Sequence, residues 1–263
     1  MPGLSLFHDN PDSAPLADQF AKEEVLAKLQ LLDKRAARKG LESLDPTKNK
    51  LIPIGTEIDA QGRVTKNSYG VFHLAWRAEA AGGWPQQVLA ELDGIKGAIR
   101  ETHGSRLRFL IWAGMGGSAE DKSMYHAAGL FKRGPRVYVL DSTDPAKLKS
   151  ILADIEKRFK GTLAGALKST LVVGMAMGMT SYEPVVNLRM LAALYEKHNV
   201  DSRPNFIYMT LPGSLLDQFA GERGYRRIEL QLDNGNTTAG RHSGPLTRGS
   251  LYPLGLAGVD LDA

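Results

Sequence analysis

Three short stretches of the 263-residue chain carry residue types suited to chemistry on an oxyanion. In "GMGGSAED" at 114–121, Gly114, Gly116 and Gly117 can take positive φ and let backbone amides approach an anion with no Cβ in the way, and Ser118 adds a hydroxyl. In "MAMGMTSYEPVVN" at 175–187, Gly178, Thr180 and Ser181 stand just ahead of a predicted helix, whose N-terminus offers unpaired N–H groups and a positive dipole end. In "TAGRHSG" at 238–244, Gly240 allows a tight turn that presents the fixed donor fork of Arg241, and His242 is of the residue type suited to general acid–base work near neutral pH.

Each stretch also has a plainer account. Glycines are how any strand turns sharply into a helix. Thr180 or Ser181 could be an N-cap, worth about 1 kcal/mol to its helix. Glu183 complements the helix dipole, Arg241 could be a surface arginine, and an isolated His242 could be structural. Met175, Met177 and Met179 read as packing and adaptable lining rather than a metal site. The loop at 114–118 is not a GxGxxG turn, and no acidic residue has the spacing of a dinucleotide fingerprint.

The elements that must position these residues alternate regularly from Trp84 onward. A helix "WPQQVLAELDGIKGAIRETHG" leads to an apolar strand at 107–113, the first glycine loop and a helix from about Ser118 to Phe131. A strand at 136–141 and a helix opening at Asp144 follow. After them come a strand "STLVVGM", a helix at about 182–198, a strand "NFIYMTL", a helix "GSLLDQFAGERG" and a strand "RIELQL". Five apolar strands separated by helices predict a doubly wound α/β fold with a parallel sheet covered on both faces. Ligands in such sheets sit beyond the carboxyl ends of the strands, near the point where strand order reverses, which directs attention to the loops after the first and third strands.

The N-terminal part is less regular. Leu16, Phe20, Leu26, Leu29, Leu32 and Ala36 have helical spacing, and Gly40 with the following "DP" ends that run. Residues 46–83 are polar, with short alternating pieces that fit strand or helix. The expected organisation is an N-terminal helical extension, 1–83, and an α/β domain, 84–263.

Composition narrows the function classes. The chain lacks cysteine, which excludes disulfides, thiolate catalysis and zinc sites with sulfur ligands, and six scattered histidines offer little to a metal. No apolar run reaches the length of a membrane span and no signal peptide is evident, so the expectation is a cytoplasmic protein without a membrane partner. The formal charge is +4. The densest basic group, "DKRAARKG", has Glu23, Glu24 and Asp33 as neighbours and reads as a solvated helix face, so no nucleic-acid partner is expected.

Taken in order, "GMGGSAED", "LDSTDPAKL", "TSYEPVVN" and "AGRHSGPLTRGSLYPLGLAGVD" resemble phosphoglucose isomerase and its sugar isomerase (SIS) domain over about residues 84–262. The matching residues are Gly116, Gly117 and Ser118; Asp144; Thr180, Ser181, Glu183 and Asn187; and Gly240, Arg241, His242 and Ser243. The resemblance implies a five-stranded sheet of order 2-1-3-4-5 and a phosphorylated sugar held by Gly116, Gly117, Ser118, Thr180, Ser181 and Arg241. It implies no cofactor and no metal, and makes Arg241 the group that stabilises an enediolate during aldose–ketose isomerisation of the glucose 6-phosphate to fructose 6-phosphate type. The chain departs from the family where Ser-Lys-Thr of the phosphate loop falls on Ala176, Met177 and Gly178, where Ala239 replaces a glycine, and where His242 replaces a tyrosine. The family's glutamate base comes from sequence beyond the arginine segment, so the base is expected outside this chain. A first-domain piece, or a protein acting with a second SIS domain or as a homodimer, is anticipated. A non-catalytic sugar-phosphate-binding or interaction domain is the alternative reading.

Overall fold

The structure, a computed structural model, describes residues 82–230, 232 and 247–261, the backbone of two strands at 53–58 and 64–68, and isolated positions between 24 and 34. The chain separates into two units, 1–51 and 52–263, and the following concerns the second. Its first elements are β1 (Pro53–Ile58) and β2 (Val64–Ser68), an antiparallel pair within the stretch whose sequence fits either strand or helix.

The main sheet is built from β3 (Phe109–Ala113), β4 (Arg136–Leu140), β5 (Thr170–Ala176), β6 (Phe206–Thr210) and β7 (Arg226–Arg227), in the order β4-β3-β5-β6-β7. Every pairing is parallel. This is the expected 2-1-3-4-5 order. Its two edges are protected as edges usually are, by an arginine opening β4 and by the brevity of the Arg226–Arg227 strand.

Alternation along the strands sends side chains into two cores. Phe109, Ile111 and Ala113 face α3 (Pro145–Phe159), α4 (Leu163–Lys168), α5 (Glu183–Lys197) and α6 (Leu215–Glu222). Leu110 and Trp112 face α1 (Trp84–His103) and α7 (Arg248–Leu256). Helix α1 does this with Val88, Leu92, Ile95 and Ile99, one stripe at helical spacing, all buried. Helix α5 lies close on the sheet because β5 has a glycine beneath it: a Cβ on Gly174 would come within 2.6 Å of Leu188 Cδ2.

Three local readings are adjusted. The helix expected at 118–131 is a 3₁₀ turn, Gly116–Ser118, followed by α2 (Glu120–Ala127), which stops before Gly129 at φ +73°. Helix α4 has no counterpart in the sequence reading. The last strand pairs only through Arg226 and Arg227 rather than along 227–232. Beyond Ile228, which donates its N–H to the Tyr208 carbonyl, the chain leaves the ladder, and the Leu230 carbonyl accepts instead from the Arg248 N–H at the start of α7. Ile228, Leu230 and Leu232 remain buried, so apolar alternation survives where strand pairing does not. The helix expected at 16–40 lies almost entirely outside the described residues.

Candidate functional site

The chain runs from β3 outward to β4 on one side and then crosses back to β5 on the other, so strand order reverses between β3 and β5. At their carboxyl ends a cavity of about 480 Å³ opens, within the size range of small-molecule sites. Its wall takes Met115, Gly116 and Ser118 from the loop after β3. Met175 to Gly178, Thr180, Ser181, Glu183 and Pro184 come from β5, its loop and the start of α5.

The first loop is shaped by two glycines with different duties. Gly116 has φ +54°, a conformation costly for any residue with a Cβ. Gly114 is required by proximity, since a Cβ there would lie 2.9 Å from the Ser118 carbonyl oxygen. That carbonyl is fixed from below by Trp112, whose indole Nε1 donates to it at 2.8 Å from within the core. Lys122, 1% exposed, places its ammonium 4.4 Å from the Trp112 ring centroid and donates to Asp121 at 2.8 Å. Asp121 in turn accepts from Ser250 of α7 at 2.8 Å. Burial pushes the Lys122 ammonium below its ordinary 10.5, and the charge of Asp121 offsets this only in part. Sequence reading missed Trp112, Lys122, Asp121 and Ser250 as supports of the loop. A lysine inside "GGSAEDKSMY" gives no local sign of being buried.

In the second loop the N-cap of α5 is Tyr182, with no side-chain cap bond. Thr180 and Ser181 therefore do not cap the helix, and neither hydroxyl is bonded to any described residue. They face the cavity beside the uncapped first turn, an arrangement that favours an oxygen-rich or anionic group. A Cβ on Gly178 would stand 2.7 Å from the Ser181 hydroxyl, so glycine leaves that hydroxyl its present position. The charge balance is less favourable to phosphate. Glu183 is the only ionisable side chain on the wall among the described residues, and Met175, Ala176 and Met177 make the β5 side apolar.

The structure thus brings Gly116, Ser118, Thr180 and Ser181 to one cavity and leaves Gly117, in the same turn, off its wall. Asp144 is turned to its own helix, accepting the Ala146 N–H at 2.8 Å as N-cap of α3. Asn187, fully within the core, reaches the Leu140 carbonyl at 3.5 Å and ties α5 to β4. Gly240, Arg241, His242 and Ser243 lie outside the described residues. The residues that follow their segment are tied to the rest of the domain. Arg248, 2% exposed, bonds Leu230 through its backbone and makes a two-pronged ion pair with Glu91 of α1 at 2.8 and 2.9 Å. Tyr252 donates to the same carboxylate at 2.7 Å. Gly249 sits so close to Met175 of the cavity wall that a Cβ would be 2.9 Å from its Cε.

Sheet order, helix placement and a cavity at the switch point define a doubly wound α/β domain. Comparison with known proteins agrees with the motifs. The chain is 30% identical to the glucose-6-phosphate isomerase of Synechococcus sp. (strain JA-3-3Ab) over 168 residues, 64% of this chain and 29% of that protein. It is also 30% identical to the glucose-6-phosphate isomerase of Rippkaea orientalis over 167 residues, 63% of this chain and 29% of that protein. Among solved structures, a glucose-6-phosphate isomerase from Chlamydia trachomatis matches the fold with a TM-score of 0.50 and 20% identity, over 76% of this chain and 37% of that one. No family model matches the chain. The chain is similar to these isomerases and spans about 29% of the length of the curated relatives it matches.

Proposed function

We propose that this domain binds a phosphorylated sugar and serves aldose–ketose isomerisation of the glucose 6-phosphate to fructose 6-phosphate type, with the proton-transferring base supplied by another segment or polypeptide. One observation carries the reading: two uncommitted hydroxyls, Thr180 and Ser181, stand beside the uncapped N-terminus of α5 and share a cavity with Ser118 and Gly116. Isomerisation moves a proton between C1 and C2 and needs a group to stabilise the enediolate. Arg241 is proposed for that role, on the family resemblance, and it would also supply the cation lacking among the described residues of the cavity wall. Glu183 belongs to the first turn of α5 and is assigned to the helix dipole.

The test is a thermal-shift comparison of the full chain with glucose 6-phosphate, fructose 6-phosphate and the unphosphorylated sugars. A ligand at a hundred times its Kd raises stability by about 2.7 kcal/mol. The phosphorylated sugars are expected to stabilise the parent protein and not Ser181→Asp, which places a carboxylate beside the helix end. Equal stabilisation by glucose, or an unchanged response in Ser181→Asp, would overturn the reading.

A second reading, a non-catalytic sugar-phosphate-binding or interaction domain, is favoured by a specific feature that speaks most for the interaction role. Where the family has Ser-Lys-Thr, the wall presents Ala176, Met177 and Gly178. Each charge-assisted hydrogen bond to phosphate is worth about 1.5 to 3 kcal/mol, so their loss weakens phosphate recognition severely. A coupled isomerase assay separates the two: turnover with a second polypeptide present supports the enzyme, and sugar-phosphate binding without turnover supports the binder.

A further inference from the structure

A concentration of basic side chains lines a cleft at the opposite end of the sheet from the hydroxyl-lined cavity. The cleft, about 590 Å³, opens where β3 and β4 begin. Arg108, Lys132, Arg136, Lys157, Arg158 and Lys160 line it, against the single carboxylate of Asp154. Five positive charges are left unbalanced, more than the formal +4 of the entire chain.

The cations are held in different ways. The Arg108 guanidinium donates to the Arg158 and Phe159 carbonyls at 3.1 and 3.4 Å and lies 4.9 Å from the Phe159 ring centroid, so it is fixed without a carboxylate. Asp154 is shared: Arg136 and Arg158 both donate to its Oδ2, at 3.2 and 2.7 Å, as does the Tyr138 hydroxyl. Lys132, Lys157 and Lys160 have no carboxylate partner among the described residues. The dipole of α3 accounts for cations in its last turn, but not for Lys132 or Arg136, which come from other elements. Like charges converging on a concave wall repel one another and focus a field that draws in anions. Phe109 and Phe131 give the cleft an apolar floor.

We propose that this cleft is a second anion-binding site, separate from the sugar-phosphate cavity, for a compact ligand carrying two or more phosphoryl groups. One phosphate brings at most about two negative charges and would leave most of the excess unbalanced. The size of the cleft, about 590 Å³, is that of a small-molecule site and fits a compact ligand.

Calorimetric titration of the full chain, in metal-free buffer at fixed ionic strength, compares inorganic tripolyphosphate with orthophosphate. The variants are Lys157→Gln with Lys160→Asn, asparagine tolerating the φ of +57° at position 160, and separately Ser181→Asp. Tripolyphosphate is expected to bind at least about tenfold more tightly than orthophosphate, and the lysine double variant to weaken it about a hundredfold, tenfold per lysine. Ser181→Asp is expected to leave it unchanged. Equal affinity for the two anions, an unaffected double variant, or loss of binding in Ser181→Asp would each overturn the proposal. So would a single-stranded oligonucleotide that displaces tripolyphosphate with affinity rising with its length, which would make the cleft part of a nucleic-acid surface.

Discussion

Replacing Glu91 by alanine tests whether the α1–α7 contact holds the end of the domain that borders the cavity. Arg248 is 2% exposed and takes both oxygens of Glu91, whose side chain is 22% exposed. Removing the carboxylate deprives the buried guanidinium of its two-pronged ion pair, and breaking a buried pair by removing one partner costs about 3 to 5 kcal/mol. Tyr252 also loses its acceptor. At about 2 to 4 °C per kcal/mol for a protein of this size, the melting temperature should fall by about 6 to 20 °C. Because Gly249 packs on Met175, the disturbance should also weaken ligand binding in the cavity. Glu91→Leu combined with Arg248→Met should recover most of the loss, since apolar side chains of similar size commonly replace a buried pair without penalty. Denaturant unfolding of the two variants and the parent provides the measurement. A cost below about 1 kcal/mol for Glu91→Ala, the range of a surface pair, would refute the argument.

Three further outcomes follow from the same geometry. Burial works to raise the Glu91 carboxyl, but hydrogen bonds from Arg248 and Tyr252 and the Arg248 charge outweigh it and hold the group below its ordinary 4.5. Its contribution to stability is therefore present above pH 4.5 and lost as pH falls through the lower folded-state value, and Glu91→Gln should flatten this acid limb in pH-dependent unfolding. Trp112→Phe leaves the Ser118 carbonyl without its buried donor and should cost about 1 to 3 kcal/mol in denaturant unfolding; an unchanged midpoint would show that the loop does not depend on the indole. Gly174→Ala drives a methyl to within 2.6 Å of Leu188 and should cost about 1 to 3 kcal/mol, with Leu188→Val relieving part of it; additive losses in the double variant would contradict the contact.

The sequence by itself determined the order of the main-sheet strands and of the helices between them apart from α4, because the signals are local. Val88, Leu92, Ile95 and Ile99 recur at helical spacing, the interior strands are continuous apolar runs, and Asp144 marks the start of α3. It also marked the glycine loop at 114–118, since a turn between strand and helix needs Gly116 whatever lies around it. Tertiary structure decided the rest. That Ser118 and Ser181 share a cavity depends on β3 and β5 pairing in parallel register, with their carboxyl ends side by side. That Thr180 and Ser181 are uncommitted, rather than caps, depends on α5 beginning at Glu183 after Tyr182. Lys122 becomes a buried support only because Trp112 lies beneath it, and β7 ends early because the start of α7 captures Leu230. The basic cleft is distributed over Arg108, Lys132, Arg136 and the end of α3, positions no window of sequence joins. Periodicity is a property of neighbours along the backbone, whereas cavities, buried ion pairs and summed fields arise only where distant segments are packed together.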